Sequence, residues 1–192
     1  MIKPFRSIFL AALAVASVSL LSATTVIPPT FDQLLSQAEL IFQGTVTNVE
    51  SRWEGEGANR HIQSYVTLKV DDKIKGAPGN NYTISMLGGT VGDETMEVTD
   101  APRFKVGDRD FLFVEHNGSQ FIPLVGIMHG RFRLQHDQVT GREFVATNDG
   151  APLVDVDQLG KDEHAASNAA GTPLTPQAFK SVVQTRLARL PQ

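Results

Sequence analysis

The feature that most constrains the fold is a long hairpin pattern from Leu40 to Gly76. In its second half, alternate residues are apolar or small and share one face, as expected of a half-buried strand. These residues are Ile62, Ser64, Val66, Leu68 and Val70. The first half is less regular, and Gly44 predicts a bulge or a sharp bend there. Long strands that coil around a bend are typical of a small closed barrel.

The N-terminus of the 192-residue chain has the pattern of an export signal. Lys3 and Arg6 precede an apolar run over residues 8–21, and small residues follow at Ser22 and Ala23. This order predicts a secretory signal peptide over residues 1–23, with cleavage after Ala23. The mature protein is therefore expected to be periplasmic or secreted, with no membrane association after cleavage. Two alternatives stay open, cleavage at Ala14-Val15-Ala16 and an uncleaved N-terminal anchor.

The charge balance disfavours polyanionic partners. Residues 1–23 contain two of the 17 Lys and Arg residues and none of the 21 Asp and Glu residues, so the mature chain has 15 cations against 21 anions and a net charge of −6. Because binding to nucleic acid or anionic lipid depends on clustered Lys and Arg, neither is expected as a partner. The chain has no cysteine, so an exported form must be stabilised by its core without disulfides.

The remaining pattern predicts short elements around this hairpin. Thr30 and Gln33 have the spacing of a capping box for a short helix over Phe31–Ala38. The apolar run Phe111–Val114 predicts a strand buried on both faces. Further strands are predicted at Tyr82–Met86, Phe121–Val125, Arg131–Leu134 and Glu143–Ala146. The core is predicted to contain Phe42, Val66, Leu68, Ile84, Phe111, Phe113 and Leu134.

The last part of the chain changes in character. Residues 147–174 contain few apolar side chains and predict a loose linker. Residues 175–192 predict a C-terminal helix, with Thr175 as its cap and Pro176 in its first turn. Its apolar stripe is expected to pack on the same domain, with docking of a partner as the alternative. The stripe consists of Phe179, Val182, Val183, Leu187 and Leu190.

Three strand segments carry a resemblance to a known module. They are Gln37–Val46, Tyr65–Gly76 with its Ile-Lys-Gly ending, and Val106–Val114. Together they resemble the netrin module, the OB-type domain of the tissue inhibitors of metalloproteinases. The chain is also similar to a group of exported bacterial proteins without an established activity, which share the Leu-Gly-Gly loop, the Ala-Pro-Arg-Phe segment and the Gly-x-x-x-Gly-x-Phe strand. The resemblance implies a mainly β fold, an OB-type (netrin-like) barrel over residues 24–146 with a short N-terminal helix and a C-terminal helix.

The resemblance also implies a binding surface and a partner. In the inhibitors, the N-terminal segment and two loops form the contact ridge. Carried over by position, the partner-binding residues are Thr24, Thr25, Val26, Trp53, Glu54, Gly88, Gly89 and Thr90. The implied partner is an exported protein, and a matrixin-type metallopeptidase is the specific candidate. The inhibitors bind zinc through an N-terminal cysteine fixed by disulfides, whereas the mature chain here is predicted to begin at Thr24 and contains no cysteine.

No motif in the chain predicts catalysis. The five histidines are scattered without an HExxH pattern, and no serine lies in a G-x-S-x-G context. We therefore expect no enzyme activity, no catalytic residue, no metal and no cofactor. Trp53, the single tryptophan, is predicted to pack in the core, with an exposed contact as the alternative. Other open functions are binding of a carbohydrate or small ligand and a structural role in the cell envelope.

Overall fold

The structure, a computed structural model, describes residues 28–161 and 171–190. The described chain is mainly β, with two antiparallel sheets and two α-helices. The helices are α1 (Phe31–Gln37) and α2 (Pro176–Leu187). The strands are β1 (Leu40–Glu54), β2 (His61–Lys75), β3 (Asn81–Leu87), β4 (Gly89–Val91), β5 (Glu94–Met96), β6 (Arg109–Val114), β7 (Arg131–His136) and β8 (Glu143–Ala146). The predicted signal peptide and Thr24–Val26 lie outside the described residues.

The main sheet is built on the β1–β2 hairpin. Its strand order is β3-β2-β1-β6-β7-β8, while β4 and β5 form a separate hairpin. The pairing of β1 with β2 extends to Glu54 and His61, beside the turn, and shifts register at three places, one of them between Gln43 and Gly44. The irregularity predicted at Gly44 is therefore confirmed. Because β2 keeps its alternation, Ile62, Ser64, Val66 and Leu68 are all buried on one face.

Hydrophobic clusters cover both faces of the main sheet. Alternate residues of β6 divide between them, with Phe111 and Phe113 in one cluster and Leu112 and Val114 in the other. We call the first face the helix side, because α1 and α2 pack on it, and the second the loop side. The prediction that this strand is buried on both faces is confirmed. Of the predicted core residues, all are buried except Leu134, which is half-buried against the helix-side cluster.

Local signals at the helix ends appear as predicted. The Thr30 hydroxyl accepts a hydrogen bond from Gln33 N at 3.3 Å, and Thr30 N donates to Gln33 Oε1 at 2.8 Å, which completes the capping box of α1. Thr175 caps α2 by accepting from Ala178 N at 3.2 Å. The helix buries Phe179 against the sheet, so its apolar stripe packs on its own domain.

The predicted strand Phe121–Val125 is not formed as a strand. This segment makes one isolated bridge, Leu124 to Val114, and lies between β6 and the outer edge of β3. Leu87 N in β3 donates to Phe121 O at 2.7 Å, and Glu115 N donates to Pro123 O at 3.2 Å. Pro123 has no N–H group, so a regular ladder cannot pass through it. Among the described strands no ladder joins β3 to β8, and the main sheet does not close by strand pairing alone.

The first part of the predicted linker is packed rather than loose. Leu153 and Val156 are buried in the helix-side cluster. Leu153 N donates to Val145 O, and Leu174 N donates to Leu153 O, each at 2.8 Å. Leu153 and Val156 therefore anchor this otherwise polar segment to the core. Residues 162–170 of the predicted linker lie outside the described parts.

Candidate functional site

The candidate site is the end of the main sheet at the β1–β2 turn. Trp53 in β1 pairs with Ile62 in β2. Ile62 O accepts a hydrogen bond from Gly88 N at 2.8 Å. The two segments that the resemblance assigns to a contact ridge, Trp53–Glu54 and Gly88–Thr90, are therefore neighbours in the fold. The third segment, Thr24–Val26, lies outside the described residues, so its place relative to them stays a prediction.

The prediction that Trp53 packs in the core is wrong. It belongs to neither hydrophobic cluster and is half-buried on the loop side of the hairpin. The Arg60 guanidinium lies 3.9 Å from the centre of its ring. The physical reason is that β1 and β2 extend well past β6 here, so little of the second layer reaches Trp53. An aromatic ring stacked with arginine and partly open to solvent is typical of protein interfaces.

Glu54 faces the opposite side of the hairpin from Trp53, because successive residues of a strand alternate. Its carboxylate accepts hydrogen bonds from the Tyr65 hydroxyl and from Arg52 Nε, the latter at 3.1 Å. The Tyr65 hydrogen bond and then the Arg52 hydrogen bond lower the pKa of Glu54 from its ordinary value. The Arg52 guanidinium also lies 4.1 Å from the centre of the Tyr65 ring. Glu54 is therefore held in a local network on the helix side of the hairpin.

Gly88 and Gly89 bring the β4–β5 hairpin close to the sheet. Ser64 donates its hydroxyl proton to Gly88 O at 2.6 Å, so the Ser51 hydroxyl, 2.8 Å away, is the donor to Ser64. A Cβ atom on Gly89 would lie 2.2 Å from Ser64 Oγ and 2.4 Å from Ser51 Oγ, and its φ of 136° also disfavours other residues. These glycines therefore allow close packing, and Thr90, which is exposed beside them, presents its side chain to solvent.

A groove that the sequence did not reveal opens beside these residues on the loop side. Its volume is about 330 Å³. Its apolar lining includes Val49, Val66, Met86, Met96, Val98 and Phe104. At its rim, Arg103 Nη2 lies 2.6 Å from Glu97 Oε1. Val49, which is 37% exposed, lines the groove together with the predicted contact residues Gly88, Gly89 and Thr90.

A buried arginine holds the wall of this groove in place. Arg131 Nη1 donates to Arg103 O at 2.8 Å, and Nη2 donates to Asp108 Oδ2 at 2.8 Å and to Asp110 Oδ2 at 3.0 Å. Its guanidinium also lies 4.1 Å from the centre of the Phe104 ring. Arg131 is 2% exposed and links β7 to the 102–108 segment, a role that its place between Gly130 and Phe132 did not predict.

Asp110 is the most strongly perturbed acid of the described chain. Burial raises its pKa to about 6, against the opposing attraction of Arg131. Asp110 Oδ1 and Arg131 Nε have no hydrogen-bond partner among the described residues. The cluster therefore carries two incompletely satisfied charged groups inside the protein, an arrangement whose net contribution to stability is small or negative unless it orders the neighbouring chain.

Three of the described histidines contact different groups. His61 Nδ1 is 2.8 Å from Asn59 O, His116 lies near Glu39 and Glu115, and His136 lies near Glu143. Within residues 28–161 and 171–190, no three His, Asp or Glu side chains are grouped closely enough to hold a metal ion. In the same residues, no helix is long and apolar enough to cross a membrane.

Comparison with known proteins adds no relative to this description. The chain matches no protein-family model, and neither the curated proteins nor the solved structures contain a significant match. The case for its function therefore depends on the fold and on this end of the sheet.

Proposed function

We propose that this chain is an exported, non-catalytic binding module built on an OB-type, netrin-like barrel. It binds a protein partner through the end of the sheet that carries Trp53 and Gly88–Thr90. The observation that carries the proposal is the hydrogen bond from Gly88 N to Ile62 O, which joins the two predicted contact segments through the pair of Trp53 and Ile62.

The arrangement around the loop-side cluster favours an OB-type barrel. Strands β3, β2, β1 and β6 are consecutive neighbours in the sheet. The segment 121–124 lies between β6 and β3 and is hydrogen-bonded to both. Asn117 adds a side-chain link to the same edge of β3, since its Nδ2 donates to Thr83 O at 2.8 Å and its Oδ1 accepts from Ser85 N at 3.1 Å. Strands and connecting segment thus surround one apolar cluster, as in a partly open small barrel.

The chemistry of the site favours binding over catalysis. Glu54 is occupied by Tyr65 and Arg52, and Glu97 is paired with Arg103. Of the two serines nearest the groove, Ser51 donates to Ser64 and Ser64 donates to Gly88 O. What remains accessible is an aromatic ring, arginine side chains and an apolar groove, which are the groups that contribute most to protein interfaces.

An exported matrixin-type metallopeptidase is the partner that the resemblance implies. The proposal places the mature N-terminus at Thr24, and its free amine and carbonyl would be the groups available to chelate the catalytic zinc. No disulfide fixes that segment, so binding includes an ordering cost that a fixed segment avoids. We therefore expect inhibition weaker than that of an inhibitor with a fixed N-terminus.

The test is a titration of a matrixin-type peptidase with the exported protein, whose N-terminal residue is first identified by mass spectrometry. Trp53→Ala is expected to weaken binding by about 5- to 30-fold, the effect of losing an interface aromatic worth about 1 to 2 kcal/mol. Val139→Ala, in the exposed β7–β8 turn, is the control and should leave binding unchanged.

A second variant separates the two parts of the proposed ridge. One alanine added ahead of Thr24 abolishes inhibition if the terminal amine binds zinc, and leaves it intact if the contact is confined to Trp53 and Gly88–Thr90. Absence of any binding would contradict the metallopeptidase as partner.

A small apolar ligand is the second candidate, favoured by the groove of about 330 Å³. That volume is at the lower end for small-molecule sites. A melting temperature that rises with short apolar ligands or oligosaccharides, and no longer does so in Val49→Trp, would favour this function over protein binding.

A further inference from the structure

Strand β1 is hydrogen-bonded along both edges only in its first half. On one edge β6 pairs with Leu40–Thr45. The last backbone contacts on that edge are Val46 N to Asp108 O at 2.8 Å and Gly107 N to Val46 O at 2.9 Å. From Thr47 to Glu54 this edge has no backbone hydrogen bond to any other described residue, whereas the opposite edge pairs with β2 through Glu54.

The free edge is regular enough to accept another strand. The last register shift of β1 lies between Val46 and Asn48, and from Asn48 to Glu54 the pairing with β2 is uninterrupted. This segment contains no proline. The β4–β5 hairpin lies against the face of the sheet at Ser51 and Ser64, not along the edge. An unpaired row of backbone N–H and C=O groups can form hydrogen bonds with another extended backbone. The ligand expected at this edge is therefore a β-strand.

The side chains of the edge are self-complementary about Ser51. Glu50 and Arg52 flank Ser51 on the helix-side face, and Val49 and Trp53 flank it on the loop-side face. In an antiparallel pair centred on Ser51, Glu50 of each copy is opposite Arg52 of the other. Val49 is likewise opposite Trp53. Opposite charges and aromatic with β-branched residues are both favourable cross-strand pairs.

Charge selects this register over its neighbours. A pair centred on Glu50 would place two Glu50 carboxylates opposite each other, and one centred on Arg52 would place Glu50 opposite Glu54. Glu50 is exposed and has no ion-pair partner among the described residues. The Arg52 side chain is 56% exposed although it contacts Glu54. Pairing at Ser51 thus gives Glu50 a partner and leaves no like charges opposite each other.

We propose that two copies of this chain associate through the free edge of β1, antiparallel and centred on Ser51. The product is a twofold-symmetric dimer in which the two main sheets are continuous, and the same patch serves both copies. This inference goes beyond the proposed function, because it concerns self-association and its charged pairs lie on the face opposite Trp53 and Gly88–Thr90. Trp53 takes part in both, since it is opposite Val49 of the second copy in the dimer.

Sedimentation velocity over a range of protein concentrations tests the proposal. The wild type should dimerise reversibly. Glu50→Arg and Arg52→Glu each replace two attractive cross-strand pairs by two repulsive ones, so each is expected to raise the dimer dissociation constant by at least about tenfold. The double variant, which exchanges both charges, should dimerise like the wild type.

The decisive measurement mixes the two single variants. Glu50→Arg has two cations at these positions and Arg52→Glu has two anions, so the mixture should form a heterodimer in which every pair is again attractive. Circular dichroism and thermal melting of each variant exclude misfolding as the cause. A wild type that stays monomeric, or a dimer that neither single variant weakens, would overturn the proposal. Partner binding should persist in the monomeric Glu50→Arg protein, so failure of the dimer is separable from failure of the proposed function.

Discussion

At the scale of single residues, Arg131 connects β7 to the segment that forms the wall of the groove. It is a fully charged side chain within the protein and bonds at once to Arg103 O, Asp108 and Asp110. Its stack on Phe104 ties the same segment to the loop-side cluster. The wall of the groove therefore depends on a polar contact, which is sensitive to the protonation of Asp110.

The raised pKa of Asp110 predicts how the free energy of unfolding changes with pH. It is raised from 3.8 to about 6 by burial, with Asp108 adding to the rise and Arg131 and Arg133 opposing it. Between these values the folded protein keeps a proton that the unfolded chain releases. The contribution of Asp110 to the free energy of unfolding is therefore greatest below pH 4, and falls by about 3 kcal/mol as pH rises above 6.

Asp110→Asn removes this titration and should flatten the pH dependence. Urea unfolding at several pH values between 4 and 7 measures it, and the stability of the variant relative to the wild type should increase as pH rises. Asp137→Asn is the control. Hydrogen bonds from the backbone N–H groups of Thr140 and Val139 lower the pKa of Asp137 from 3.8, so its contribution is lost mainly below this pH window, and the Asp137→Asn curve should run nearly parallel to that of the wild type. Parallel curves for wild type and Asp110→Asn would contradict the assignment.

At the scale of elements, the outer edge of β3 is completed by a side chain. The Asn117 amide bonds to Thr83 O and to Ser85 N, the groups that a neighbouring strand would use. Its Nδ2 also lies 3.1 Å from the Tyr82 hydroxyl. One asparagine therefore makes hydrogen bonds that a neighbouring strand would otherwise make at this edge.

Asn117→Ala should lower the free energy of unfolding by about 1 to 2 kcal/mol, because it removes hydrogen bonds worth about 0.5 to 1.5 kcal/mol each to backbone groups of β3 that are partly open to solvent. The amide proton of Ser85 should also exchange faster with solvent. Ser119→Ala is the matched control from the same turn, since the Ser119 hydroxyl bonds only to His116 O within that turn. Unchanged exchange at Ser85 would show that the edge does not depend on Asn117.

At the scale of the whole molecule, α2 packs the C-terminal part of the chain on the sheet through the buried side chains of Phe179 and Val183. Phe179 lies 5.0 Å from both Phe111 and Phe132 between ring centres, and 5.9 Å from Phe31. It is fully buried. The helix is therefore part of the core and not an appendage.

Phe179→Ala should lower the free energy of unfolding by about 3 to 5 kcal/mol, the usual cost of removing a buried phenylalanine. Val182→Ala, from the same helix but half-buried, should cost clearly less. Chemical unfolding of both variants provides the measurement. Equal and small losses would mean that α2 does not contribute to the cooperative core.

Much of the fold follows from patterns within a few residues. Alternation in β2, the capping box of α1 and the apolar run of β6 each depend on local geometry, so the sequence alone predicted where these elements lie and which faces they bury. The bulge near Gly44 follows from the same reasoning. The contact segments at Trp53 and Gly88 were placed by resemblance, and their function remains a prediction.

Other features depend on residues far apart in the chain, and only the tertiary structure decided them. Trp53 is half-buried because β6 does not reach it. Segment 121–125 is not a strand because it bonds to Leu87 through Phe121 and to Glu115 through Pro123, and so pairs continuously with neither edge. The buried Arg131 needs Asp108 and Asp110 from another segment, and the free edge of β1 exists because its neighbour is shorter. Local sequence determines what a segment can form, but which layer covers it is set by the packing of distant segments, whose relative positions no local pattern records.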